Sequence, residues 1–238
     1  MAGVHSEKQL GNIVDLNGSV FYKEIENFKQ FQTEWLAKFM KVILRGFHAR
    51  CREYLRNKKQ WQEKVKESAE EIKTADGIAN GDGSKFSISL PLVDALDVLQ
   101  GQLKNVKQVL NDVDFMDLWR ILASGLDQFI FTNIILSNAK FSNYGVHQFE
   151  ADMHALFHIF KPFCVLPTGF FPHLSDSLRL LAMPSADVKH LLKIFHGPSL
   201  AIKDDKDDPK LKCLRQCGIR KISAGDVKKI LRQWILIG

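Results

Sequence analysis

Residues Asp114–Phe160 read DFMDLWRILASGLDQFIFTNIILSNAKFSNYGVHQFEADMHALFHIF, the densest helical pattern in the chain. Phe115, Leu118, Trp119, Leu122, Leu126, Phe129, Ile130, Ile134 and Leu136 follow one another in steps of three and four, which lays a broad apolar stripe along one helix. Asp114 is placed to cap its start, accepting from the free amides of the first turn, and Asp117 adds negative charge where the helix dipole is positive. The spacing predicts an end near Ser137 to Ala139. A polar turn through Ser142, Asn143 and Gly145 follows, and then a second stripe of Phe149, Met153, Leu156, Phe157 and Phe160. Helices joined by so few residues are usually antiparallel neighbours.

Upstream, Phe21, Ile25, Phe28, Phe31, Trp35, Phe39, Val42, Ile43, Phe47 and Tyr54 predict a long helix. Its stripe is aromatic and wide, which suits a helix gripped by neighbours on more than one side, and Gly46 is the expected point of bending or breakage. Before it, residues 1–18 are polar and glycine-containing, a flexible leader by composition. Beyond Tyr54 the apolar spacing thins, and the glycine-rich 74–86 stretch is expected to be a mobile loop. A third helix begins near Pro91 and carries Leu92, Leu96, Leu99, Leu103, Val106 and Leu110, with Asn111-Asp112 closing it.

Downstream, Pro162 and Pro167 exclude a continuous helix through 161–169, whose apolar character predicts that it lies across other helices. Short helices follow on Phe170, Leu174, Leu178 and Leu181, and then from Ser185 through Val188, Leu191, Leu192 and Phe195 to Gly197-Pro198. The aspartate-rich 199–209 segment reads as a second mobile loop. Leu211 to Cys217 is a brief helix closed by Gly218, and Ser223-Ala224-Gly225-Asp226 opens the last one, on Val227, Ile230, Leu231 and Trp234. No segment alternates with period two over more than four residues. The fold class is all-α, a bundle of stacked antiparallel helices occupying residues 19–238.

Bulk properties fit that reading. The chain has 238 residues, 45% of them hydrophobic and 25% charged, enough for a substantial core. Neither a membrane-spanning run nor a secretory signal is evident, so a cytoplasmic address is expected. Cys51, Cys164, Cys213 and Cys217 are too few and scattered for a disulfide scaffold, and reduced thiols are expected. The net charge is +6. Eleven cations and five anions between Lys38 and Lys73 account for all of it, and such a local surplus attracts lipid or nucleic-acid phosphate, or an acidic partner.

The residues Asn133-Ile134-Ile135-Leu136, Phe141, Gly145, Gln148-Phe149, Asp152-Met153, Leu156-Phe157 and Phe160 resemble the RINT/TIP family of vesicle-tethering subunits, called maigo proteins in plants. The likeness runs from about Phe21 almost to the C-terminus and corresponds to the C-terminal part of a much longer protein. It departs at Tyr144, where family members tend to carry glycine, and after Lys59. The resemblance implies a CATCHR-like helical rod, a non-catalytic subunit of a Dsl-type tethering complex. That complex works peripherally on the cytosolic face of the endoplasmic reticulum in Golgi-to-ER retrograde transport. Its implied partners are a SNARE subunit and other tethering subunits.

Other chemistry was weighed against this. His147, Glu150, His154 and His158 lie a turn apart on one helix, a spacing that suits zinc but lacks the His-Glu-x-x-His order, so a solvated row is the expectation. Cys213 and Cys217 have no second cysteine pair to complete a metal site. No phosphate loop, dinucleotide fingerprint or nucleophile elbow occurs, so no catalysis, cofactor or small-molecule substrate is expected. Trp35, Phe47, Tyr54 and Trp61 within the basic segment offer an alternative, nucleic-acid binding by stacking and phosphate neutralisation, although Trp35 and Phe47 belong to the helical stripe. Lys38, Lys41, Arg45, Arg52 and Arg56 are the residues expected to meet an acidic partner or anionic membrane.

Overall fold

A computed structural model describes residues 20–62, 87–196 and 209–233. Among these, the helices are α1 (Val20–Arg50), α2 (Arg52–Arg56), α3 (Leu90–Val109), α4 (Asp112–Ile130), α5 (Asn143–Phe160), α6 (Pro172–Leu181), α7 (Ser185–His196), α8 (Pro209–Gln216) and α9 (Ala224–Gln233), with no strand. The all-α class is therefore what the chain adopts. The expected leader and the 74–86 loop lie outside the described residues, as do Trp234 and all of 199–209 except Pro209, which opens α8.

Side-chain contacts fix how the long helices run. Gly46 of α1 faces Gln102 of α3, and Arg50 lies 3.4 Å from Asp94, so α1 and α3 are antiparallel. Gln32 bonds Asp114 at the start of α4, while Phe47 and His48 pack on Phe129 near its end, so α1 and α4 are parallel. Trp119 meets Phe160 at 6.3 Å, which returns α5 along α4. The shared core includes Leu99, Leu103, Leu118, Leu122, Leu126, Phe149, Met153 and Leu156, each with essentially no exposed surface. The shorter helices join through Phe171, which packs on Phe157 and Phe160 at 4.9 and 5.2 Å.

Four local expectations are corrected. The N-cap of α4 is Asn111, not Asp114: the Asn111 side chain accepts from the Asp114 amide at 2.9 Å and donates to its carboxylate at 2.7 Å. Asn111 and Asp112 thus open a helix rather than close one, because an amide side chain satisfies the first-turn donors as well as a carboxylate does. The break after α1 falls at Cys51, five residues beyond Gly46, which sits inside the helix. The 161–169 stretch does lie against other helices, through Phe163, whose ring stands 5.0 Å from Phe115, and through the turn at Pro167–Phe170, but Val165 and Leu166 are exposed rather than packed. The grip on α1 is one-sided: Leu36, Ile43 and Phe47 are buried, but Phe21, Ile25, Phe28, Phe31, Trp35, Phe39 and Val42 face outward. Trp35, read as core, is therefore a surface residue. In addition, the last turn of α4 widens into a π-helical stretch at Phe131–Ile135 before the turn at Asn138, whose φ is 63°.

Three buried carboxylates tie the elements together, each through donors supplied by another element. Asp127 accepts from the backbone of His173 at 3.2 Å and Leu174 at 2.9 Å, and from His173 Nδ1 at 2.7 Å, so it caps α6 from inside α4. Asp152 accepts from Tyr54 Oη, Ser89 N and Ser89 Oγ, all at 2.7 Å, joining α2 and the start of α3 to α5. Asp176 accepts from the amides of Arg220 and Lys221 at 2.8 and 2.7 Å, fixing the chain between α8 and α9.

Candidate partner-binding surface

A helix packed along one side leaves its other side to solvent, and on α1 that side is chemically divided. One strip is aromatic. Phe31 and Trp35 stand edge to face at 5.9 Å, Trp35 and Phe39 follow at 6.4 Å, and the Lys38 ammonium lies 4.8 Å above the Trp35 ring. The adjoining strip is basic, since positions 38, 41 and 45 fall on one side of a 3.6-residue helix and α2 carries the row on to Arg52 and Arg56. Lys38, Lys41, Arg45, Arg52 and Arg56 are all exposed. None of the five has an ion-pair partner among the described residues, whereas Arg50, a turn around the helix, is engaged by Asp94.

The five predicted cations are thus all exposed, three of them on one side of α1 beside an apolar strip. That strip was missed in the sequence because its residues were assigned inward. The signal was present: Phe21, Ile25, Phe28, Trp35, Phe39 and Val42 define one helical face, and Leu36, Ile43 and Phe47 another. The buried aspartates gave no signal in the sequence, since a clip depends on what the fold carries to it.

Other candidate chemistry is placed as follows. His147, His154 and His158 are exposed on α5, with Glu150 3.5 Å from His147 and 4.0 Å from His154. Among the described residues no three His, Cys, Asp or Glu side chains converge as a metal ion requires. The four cysteines are free thiols. Burial pushes the Cys51 thiol up to about 12, and burial, followed by Cys213 one turn away, raises Cys217. Burial also holds the Asp152 carboxyl above its usual range, against the pull of its donors, and pushes the Tyr54 hydroxyl well up. The two groups are buried together and joined by the Tyr54 Oη to Asp152 hydrogen bond. A groove of about 360 Å³ is lined by Leu211, Leu214, Arg215, Ile219, Arg220 and Ile222, and holds no acid, base or nucleophile among those residues. Of the four rings proposed to stack on bases, Phe47, Tyr54 and Trp61 are fully buried and Trp35 is exposed. No helix among the described residues is long and apolar enough to cross a membrane.

Comparison with known proteins identifies a family. A family model described as the RINT-1/TIP-1 family matches residues 2–234. The RINT1-like protein MAG2 of Arabidopsis thaliana is 37% identical over 223 residues, covering 94% of this chain and 24% of that protein. The chain thus spans about a quarter of the length of this curated relative. No solved structure matches.

Proposed function

The chain belongs to the RINT-1/TIP-1 family, and on that premise we propose that it acts as a non-catalytic part of a vesicle-tethering complex in transport at the endoplasmic reticulum. In the finer reading it works peripherally on the cytosolic face of that membrane, in Golgi-to-ER retrograde transport. There it offers its helical surface to a SNARE subunit and to other tethering subunits. The action is mechanical, since simultaneous attachment to two partners raises their effective concentration without bond chemistry.

The observation that supports the reading is that Lys38, Lys41, Arg45, Arg52 and Arg56 of α1 and α2 are all exposed and have no ion-pair partner among the described residues. Exposed cations contribute little to folding, so such a row is available for an acidic protein segment or anionic lipid. The test is the triple reversal Lys38→Glu, Lys41→Glu, Arg45→Glu. Binding to the cytosolic region of the SNARE subunit, or to anionic liposomes at low salt, is expected to fall at least tenfold while the thermal midpoint stays put. Unchanged binding to both would remove this surface from the proposal.

A further inference from the structure

The last helices carry a second concentration of positive charge. Residues 209–233 hold eight lysines and arginines against one carboxylate, Asp226, and that carboxylate is engaged by Lys229 at 2.9 Å. Lys212, Arg215, Arg220, Lys221 and Arg232 are exposed, and none of them has an ion-pair partner among the described residues. These cations lie in a different part of the bundle from the first basic row: α8 packs on α7, and α9 on α6 and α7, whereas α1 packs on α3 and α4.

Within this patch the chain builds the groove of about 360 Å³ lined by Leu211, Leu214, Arg215, Ile219, Arg220 and Ile222. Its floor is apolar, since Leu214, Ile219 and Ile222 are no more than 5% exposed. Its wall is held firmly. Gly218, at φ 76°, turns the chain out of α8, and its carbonyl accepts from Arg179 Nη1 at 2.7 Å. The amides of Arg220 and Lys221 donate to the buried Asp176 at 2.8 and 2.7 Å. Helix α6 thus pins the backbone on both sides of Ile219, and two exposed guanidinium groups, Arg215 and Arg220, border an apolar hollow.

We propose that this groove docks a short acidic amphipathic segment of a partner protein, whose apolar side chains fill the hollow while its carboxylates meet Arg215 and Arg220. Charge complementarity selects the sign of the occupant, because eight cations against one anion attract an acidic chain and repel a basic one. Arginine suits carboxylate in particular, since its planar fork donates two parallel bonds to the two oxygens. Shape selects a peptide over other anions. A membrane surface is met by apolar residues that project into it, whereas Leu214, Ile219 and Ile222 lie at the bottom of a concavity that only a projecting side chain reaches. Single-stranded nucleic acid stacks its bases on aromatic rings, and residues 209–233 contain none. The volume falls near the lower end of the roughly 300–1,000 Å³ of small-ligand sites, room for a few side chains rather than a folded domain. The site is independent of the α1–α2 row, and the two together give one chain the paired attachments that holding two partners requires.

Fluorescence anisotropy on the full 238-residue chain tests this, with a labelled synthetic helix of about 15 residues whose leucines are spaced by three and four among glutamates. Micromolar binding is expected in about 0.15 M salt. It should persist in the triple reversal of the α1 row. In that background Arg215→Glu with Arg220→Glu should weaken it by about tenfold or more, while the melting temperature stays put because both side chains are on the surface. Lys104→Glu with Lys161→Glu, exposed cations elsewhere, should leave it intact. A peptide with serine in place of its leucines should bind about tenfold more weakly or worse. Absence of binding, loss of binding in the triple reversal alone, indifference to the arginine pair, or a leucine-free peptide that binds as well would overturn the inference. So would binding that emerges only with Asp204→Asn, Asp205→Asn, Asp207→Asn and Asp208→Asn in place, which would assign the groove to the chain's own acidic stretch. Flotation with phosphatidylserine liposomes through Arg215 and Arg220, by a chain that does not bind the peptide, would assign the patch to a membrane instead.

Discussion

Gly145 and Gly101 both lie inside helices, yet the structure demands opposite responses to alanine. In an open helix the change stabilises by roughly 0.5–1 kcal/mol, because glycine loses more backbone freedom on folding. A Cβ on Gly101 would have nothing within 4 Å, so Gly101→Ala should follow that rule. A Cβ on Gly145 would stand 2.5 Å from the carbonyl carbon of Trp61 and nearer still to its oxygen. Restoring ordinary contact means moving the Trp61 segment by about 1.5 Å, in a core that packs without slack. That carbonyl accepts from the Ser142 amide at 2.8 Å and from Ser142 Oγ at 3.2 Å. The Trp61 ring, fully buried, packs on Tyr54, Phe141 and Phe149 at 5.5, 5.6 and 6.1 Å. Two hydrogen bonds at about 1 kcal/mol each are therefore at risk, along with part of the ~3–5 kcal/mol that deleting a buried tryptophan costs. After the gain in helix propensity, Gly145→Ala should destabilise by about 2–4 kcal/mol, a fall in melting temperature of roughly 5–15 °C for a chain of this size. Gly101→Ala should raise it by about 1–4 °C. Thermal and urea unfolding followed by circular dichroism read both. A Gly145→Ala variant as stable as the unmodified chain would show that the Trp61 segment does not dock on α5.

Further outcomes follow from the clips and the surface. Asp127→Ala strands the first amides of α6 and should cost about 2–4 kcal/mol in urea unfolding, and Asp127→Asn, which still accepts one bond, should cost less. Burial raises the Asp152 carboxyl in the folded chain, so between the unfolded and folded titrations the native state holds the extra proton and stability falls as pH rises. Asp152→Asn cannot ionise and lacks that slope, so the advantage of the unmodified chain over it should shrink from acid toward neutral pH. A gap in urea midpoints that widens with pH would contradict the assignment. Leu166→Ser, at an exposed position in a proline-bounded turn, should change stability by less than about 0.5 kcal/mol.

The class of fold was legible because long stripes such as Leu118–Leu122–Leu126 and Phe149–Met153–Leu156 have one satisfactory reading. Boundaries were less so. Asn111 and Asp114 both carry capping groups, and which one caps depends on where α3 releases the chain. Trp61 lies where the apolar spacing thins beyond Tyr54, yet it is the wedge between α2 and α5, and only the narrowness of Gly145 hints at it. The five cations could be named from the sequence because charge needs no tertiary information to be counted. The aromatic strip beside them was misplaced because hydrophobic periodicity reports that a face is buried by something, without naming what. On α1 two such faces share a helix, and only one is met by α3 and α4 within this chain.

The three buried carboxylates have the contacts of structural clips rather than of catalytic groups. A catalytic carboxylate keeps at least one oxygen free for the reacting atom and sits where a substrate can reach it. Asp127 and Asp152 are instead buried with both oxygens taken up by donors from the chain itself, and Asp176 is buried with two amides on its Oδ2. Each receives at least one backbone N–H from a different element, so removing the carboxylate releases a helix start or a loop. If one of them were catalytic, its asparagine variant would lose function while keeping its melting temperature. The contacts require the reverse: any loss of partner binding in Asp127→Asn, Asp152→Asn or Asp176→Asn should track the loss of folded protein, and should vanish when binding is measured at a temperature where the variant is fully folded.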